Sequence, residues 1–301
     1  MADSSDKVSR DRAGADKPEN KAPPRLAARA GPGAAKMLHG LRRGGQNGLL
    51  ALRRFSTGQL RPRLQQASRW LRWRVHPSTI DRDYRRLLLL LHKLGPDRAI
   101  ERLCFVRTGA HIPLSILSVP SHLRRSGHDY RPTPRLVFKW AMEAVAEPFA
   151  RYAFVDYGAG RGRVLLLASH YPFEKITGAE SAAELYDDCL LNIAQYPRSL
   201  MKCRDVECRH LSALRLDVPE EETVFFFNNP FNRSMLERVA GKILSSCERA
   251  PRRCTVVCVD IGEHRLFAET GIFREITIPW RQRLKIAAFS PYSIAIYRSE
   301  V

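Results

Sequence analysis

Between Glu19 and Asp81 the chain has no acidic residue at all, while thirteen Lys/Arg intervene, from Lys21 to Arg74. Nothing in that stretch neutralises its own charge, so it reads as a solvated tail or as a segment that lies on nucleic acid, anionic lipid or an acidic protein. Also missing is any apolar run near the ~20 residues that a membrane-spanning helix needs. The first six residues hold Asp3 and Asp6 and no apolar core, which argues against a secretory leader and for a cytoplasmic chain. Seven cysteines are present, but Cys203 with Cys208, and Cys254 with Cys258, lack the Cys-x-x-Cys spacing or neighbouring histidines of a zinc site. Free buried thiols in a reducing compartment, and no metal, are expected.

The 301 residues carry a formal charge of +19. Residues 1–130 hold 26 Lys/Arg against 10 Asp/Glu, a surplus of 16, and residues 131–301 hold 24 against 21. This asymmetry, with few large apolar residues at the start, predicts a disordered basic tail over 1–57, a helical extension over 58–110 and a folded domain over 111–301. Trp70 and Trp73, interleaved with Arg69, Arg72 and Arg74, suit a membrane-surface helix, stacking on bases, or docking onto the chain's own domain; we favour docking. Residues 20–80 are thus the segment through which nucleic acid or an acidic surface would be met. Helices are expected over 83–94, closed by Gly95-Pro96, and over 97–106, both covering an edge of the domain. A loop over 107–131 carries His111, His122 and His128 without spaced partners, which suits surface residues. Thr133 and Pro134 stand as N-cap and first residue of a helix running to about residue 146.

The stretch that organises the rest is 154–168. Residues 152–157 are aromatic and β-branched, as a buried parallel strand should be, and 164–168 is an apolar run at helical density. Between them lie Gly158, Gly160 and Gly162. Glycines there let the chain turn sharply and let a ligand approach the backbone, beside the free N–H groups of a helix N-terminus. Strands follow over 175–180, 201–206, 223–228 and 254–260, with helices over 182–194, 234–246 and 263–270, the last capped by Gly271. Two strands, 273–279 and 292–297, end the pattern with no helix expected between them. Alternating strand and helix gives a parallel α/β sheet with helices on both faces, its last two strands an antiparallel pair at one edge.

The Gly-x-Gly-x-Gly spacing, with Asp156 two places before the first glycine, resembles motif I of class I S-adenosylmethionine-dependent methyltransferases. That resemblance implies a seven-stranded, mostly parallel sheet whose last strand is antiparallel. It also implies S-adenosyl-L-methionine as cofactor, with Asp156 facing the methionine end and its sulfonium. Glu180 ends the second strand, 22 residues after Gly158, where a carboxylate reaches ribose hydroxyls and accepts two hydrogen bonds. Adenine contact is assigned to Ser212, followed by Ala213, with Asp205 as the alternative. Tyr130 and Thr133, just before the first strand, are lid residues or plain caps. Asn228-Asn229-Pro230-Phe231 resembles motif IV of amino-group methyltransferases, an Asp/Asn-Pro-Pro-aromatic tetrad, with Asn229 in place of the first proline. There the Asn228 amide oxygen and a carbonyl at Asn229 or Pro230 would accept from a substrate amine while Phe231 packs on it. Over 130–298 the pattern is similar to bacterial class I methyltransferases, distantly to the non-SET histone-lysine methyltransferases. It implies methyl transfer to an amine of a protein or nucleic acid; O-methylation of a small molecule or sugar, and a non-catalytic basic binding module, are the alternatives.

Overall fold

Long buried runs set the frame. The computed structural model describes residues 77–300, and in it seven strands form one sheet: β1 (Ala153–Tyr157), β2 (Lys175–Glu180), β3 (Val206–His210), β4 (Thr223–Asn228), β5 (Cys254–Val259), β6 (Phe273–Glu275) and β7 (Ile294–Ser299). Their order is β3-β2-β1-β4-β5-β7-β6, parallel from β3 through β5, with β7 antiparallel to both β5 and β6. This is the class I methyltransferase fold. The expected tail over 1–57 and the first part of the extension, Trp70 and Trp73 included, lie outside the described residues.

Besides a single helical turn at Ser121–Arg124, the helices that accompany the sheet among the described residues are α1 (Pro77–His92), α2 (Arg98–Cys104), α3 (Arg135–Val145), α4 (Arg163–Ala168), α5 (Ala183–Gln195), α6 (Arg233–Arg249) and α7 (Trp280–Phe289). Alternate residues of the central strands feed two cores, as the two-residue period of a strand requires. Phe154 and Phe226 pack with Val137, Phe138 and Leu165 on one face, whereas Val155, Tyr157, Phe225 and Phe227 pack with Leu236, Val239 and Ile243 on the other. All seven cysteines are unpaired and buried.

Four expectations need correction. Gly95-Pro96 does not close a helix, because a single π-helical turn, Lys93–Asp97, carries α1 into α2 around a proline that has no N–H to donate. The third strand is Val206–His210, not 201–206. Met201 and Cys203 are buried from the preceding connection and so mimic strand positions, while the true strand lies at the sheet's edge and carries charge, Glu207 pairing with Lys175 and Arg209. Between the last two strands stands α7, whose weak apolar stripe buries only Ile286. Finally Pro134, not Thr133, is the N-cap residue of α3. The extension also covers less than expected: α1 buries Leu88 and His92, the latter edge-on to Trp140, while Leu87, Leu90, Leu91 and Leu94 stay exposed.

Candidate functional site

Parallel strands place their carboxyl ends along one edge, where the loops after β1, β2, β3 and β4 converge. A cleft of about 940 Å³, counting its open mouth, lies there. Tyr130, Thr133, Asp156, Gly158, Glu180, Ser212, Asn228, Pro230 and Phe231 line it. Nine of the eleven residues singled out from the sequence thus meet at one place, and Gly160 and Gly162 are not part of that lining. Asp205 precedes β3, at the strand's amino end, and is absent from the lining.

Gly158, Gly160 and Gly162 all have positive φ, 86°, 54° and 79°, a conformation that glycine adopts without strain. What their missing side chains admit is partly the protein itself. A Cβ on Gly158 would fall 2.6 Å from Pro230 Cβ, one on Gly160 2.2 Å from the Tyr130 ring, and one on Gly162 2.6 Å from Cys189 Sγ. The Tyr130 ring therefore lies against the glycine turn, held by its hydroxyl donating to the Thr108 carbonyl at 2.7 Å. Burial pushes that phenol well up.

Glu180 is buried and already engaged. Its Oε2 accepts from Gly160 N, and its Oε1 from Ser181 N and Ala182 N, each at 2.8 Å. A carboxylate has about four acceptor sites, so about one is left. Where two hydrogen bonds from a ribose were expected, about one site is free, because Gly160 N of the glycine turn and the N–H groups of Ser181 and Ala182 take the others. Burial raises the Glu180 pKa while these three N–H groups pull it back. Asp156 beside it is 1% exposed, and its Oδ2 has no hydrogen-bond partner. Burial first, and the Glu180 charge second, lift its pKa well above the carboxylate range. Ser212 Oγ accepts from Leu214 N at 3.4 Å, closing the turn after β3.

The Asn228 amide is fixed from one side. Its Nδ2 donates to Thr133 Oγ1 at 2.8 Å and to the Arg131 carbonyl at 3.1 Å, which leaves Oδ1 as the acceptor not bound among the described residues. Asn229 follows with φ 42°. Proline, locked near −65°, cannot take that shape. The departure from the tetrad is therefore structural, and the Asn229 carbonyl is met by His128 Nδ1 at 3.1 Å. Phe231 lies edge-on to Phe227, 6.3 Å between centroids.

Sequence reasoning missed how the loop before α3 is stitched to this turn. Gly127 bridges to Phe231, Asn232 N donates to Ser126 O at 2.8 Å, and Asn232 Nδ2 donates to Arg125 O at 3.2 Å. Most of these acceptors are backbone carbonyls, which no residue type announces. Arg163 was missed as well: buried at the start of α4, it pairs with Asp97 and Glu101 at 3.0 Å and donates to Thr108 Oγ1 at 2.9 Å. The Thr108 that it holds also carries Tyr130, so the Tyr130 loop and the glycine turn share one anchor. Among the described residues no group of three or more His, Cys, Asp or Glu could hold a metal, and no helix is long and apolar enough to cross a membrane.

No protein-family model matches the chain, and no curated protein matches it. Solved structures do. Precorrin 8w decarboxylase of Methanobacterium thermoautotrophicum is 14% identical with a TM-score of 0.40, over 57% of this chain and 93% of that one. An RNA methyltransferase from Salinibacter ruber, in complex with S-adenosyl-L-homocysteine, is 18% identical with a TM-score of 0.36, over 56% and 92%. An rRNA methylase from Streptococcus thermophilus is 13% identical with a TM-score of 0.39, over 55% and 95%.

Proposed function

We propose that this chain is an S-adenosyl-L-methionine-dependent methyltransferase acting on an amine of a protein or nucleic acid. The residues fit the cofactor. Asp156 brings a buried carboxylate oxygen that lacks a donor, and the cofactor brings an ammonium and a sulfonium. Glu180 keeps about one acceptor site for a ribose hydroxyl, Ser212 lines the wall expected to meet adenine, and Tyr130 with Thr133 closes the side. S-adenosyl-L-methionine supplies an electrophilic methyl group on sulfur.

The observation that carries the reading is the pinned Asn228 amide. With both Nδ2 bonds made inside the protein, Oδ1 accepts an N–H from an incoming amine and turns the nitrogen lone pair into the cleft. Methyl transfer is an in-line displacement, so alignment of this kind supplies much of the rate and no strong base is needed. Pro230, set against Gly158, and Phe231, set against Phe227, hold the turn that carries the amide.

Calorimetric titration with S-adenosyl-L-methionine tests this directly, and saturable binding is expected. In Asn228→Ala, cofactor affinity should stay within about twofold while turnover falls about a hundredfold, the scale at which orientation matters. The absence of any heat at millimolar cofactor would sink the reading.

A further inference from the structure

A second chamber of about 800 Å³, counting its mouth, adjoins the cleft and shares with it His128, Asp129, Arg131, Asn228 and Asn229. What it adds is Asp260 and Tyr292. Resting on the methyltransferase reading, we propose that this chamber is the acceptor pocket, and that Asp260 makes it select a cationic alkylamine, such as the side chain of a basic peptide.

The register of the sheet fixes the placement. Asn228 of β4 pairs with Val259 of β5, so Asn229 and Asp260 are the next residues on two adjacent parallel strands, which run about 4.8 Å apart. Both have left-handed backbones, φ 42° and 54°. Non-glycine residues in that region store about 1–3 kcal/mol each, less for Asn and Asp, and such strain gathers where side chains must be aimed. The Asp260 backbone is tied down by its N–H donating to Ser293 O at 2.9 Å.

Asp260 is half-buried, and among the described residues no hydrogen bond or ion pair reaches its carboxylate. In a chain with 50 Lys/Arg to 31 Asp/Glu that is unexpected. Arg85 and Arg131 are near enough to pull its pKa down, yet burial outweighs them and leaves it raised. The same carboxylate adds to the burial that pushes Tyr292 up to about 12. Asp129, the other acid on the wall, is already committed to Leu114 N at 2.9 Å and to His111. Asp260 is thus the lining carboxylate left for a ligand: an ammonium resting on it has its nitrogen beside the turn where Asn228 Oδ1 waits, and it releases one proton to solvent through the chamber's mouth before that nitrogen has the lone pair that takes the methyl group. An acceptor offering a hydroxyl or a nucleobase has no charge with which to meet that acid.

The test uses the full-length protein, with and without saturating S-adenosyl-L-homocysteine, titrated by calorimetry with n-butylammonium chloride, 1-butanol and adenosine. Butylammonium should bind, 1-butanol should bind about tenfold more weakly or not at all, and Asp260→Asn should erase that difference. Asn keeps the left-handed backbone and the volume, so S-adenosyl-L-homocysteine affinity and melting temperature should hold, and Asp260→Glu should restore part of the ammonium preference. Equal binding of butanol, adenosine occupying the chamber whatever stands at 260, or an unchanged preference in Asp260→Asn would each overturn the assignment. Failure of S-adenosyl-L-homocysteine to bind would sink the methyltransferase reading instead, while the ligand-free titration still judges the chamber.

Discussion

Asn229 shows how one residue can keep a motif's position and change its backbone. Because its φ is 42°, Asn229→Pro, which would restore the proline of the tetrad it resembles, should destabilise the protein by about 2–3 kcal/mol in chemical denaturation, whereas Asn229→Gly should stay within about 0.5 kcal/mol. A proline variant as stable as the parent would mean that the turn does not hold this shape. Asp156 gives a second prediction, through pH. Below about pH 4 both folded and unfolded chains hold its proton. Above that the unfolded chain releases it and the buried group does not, so stability falls with rising pH, by at most about 1.4 kcal/mol per unit, until the folded group ionises. Asp156→Asn removes that slope and should be the more stable protein at pH 8, by thermal melts across pH. Cofactor affinity should move oppositely in the parent. A sulfonium favours the ionised acid, so binding should tighten as pH rises above the ordinary carboxylate value of about 4, and the Asn variant should lose this trend. A parent whose affinity is flat across that range would exclude Asp156 as the cation's partner.

At the scale of elements, the glycine turn and the loop over it behave as one unit. Gly160→Ala would set a Cβ 2.2 Å from the Tyr130 ring at a φ of 54°, so it should cost about 2–4 kcal/mol and weaken cofactor binding. Adding Tyr130→Ala should recover part of that loss, and a double-mutant cycle measures the coupling; strictly additive effects would mean that the ring does not rest on the turn. What the sequence showed of these elements follows burial. Strands β1, β2, β4 and β5 were legible because interior parallel strands read as apolar runs, and Asn228 and Glu180 were legible because they stand where such strands end. Strand β3 was misplaced because Glu207 and Arg209 at a sheet edge break that pattern, and α7 was hidden because only Ile286 of its ten residues is buried. In the site, the stitching of residues 125–133 onto 228–232 was unreadable because it runs through carbonyls of Arg125, Ser126, Arg131 and Asn229. Thr133 reads as a cap by residue type, and only the fold turns it toward Asn228.

At the scale of the whole molecule, most of the surplus charge and the site are separate along the sequence. Every residue lining the cleft lies between Leu114 and Met235, while residues 1–76 contribute 17 Lys/Arg against 5 Asp/Glu, 12 of the 19 surplus charges. The chamber at Asp260 calls for a cation, whereas the front of the chain calls for an anion, so the two would engage different parts of a partner or different partners. Removing residues 1–76 should therefore leave cofactor affinity within about twofold. If the basic segment lies on nucleic acid, the same deletion should weaken binding to a single-stranded RNA by about a hundredfold or more at low salt. It should also flatten the plot of log affinity against log salt, since on a single strand each phosphate that the protein no longer neutralises takes about 0.7 off the slope. Fluorescence anisotropy at several salt concentrations reads both quantities. RNA binding with an unchanged slope after the deletion would move the anionic contact onto residues 77–301 and leave the basic front without that role.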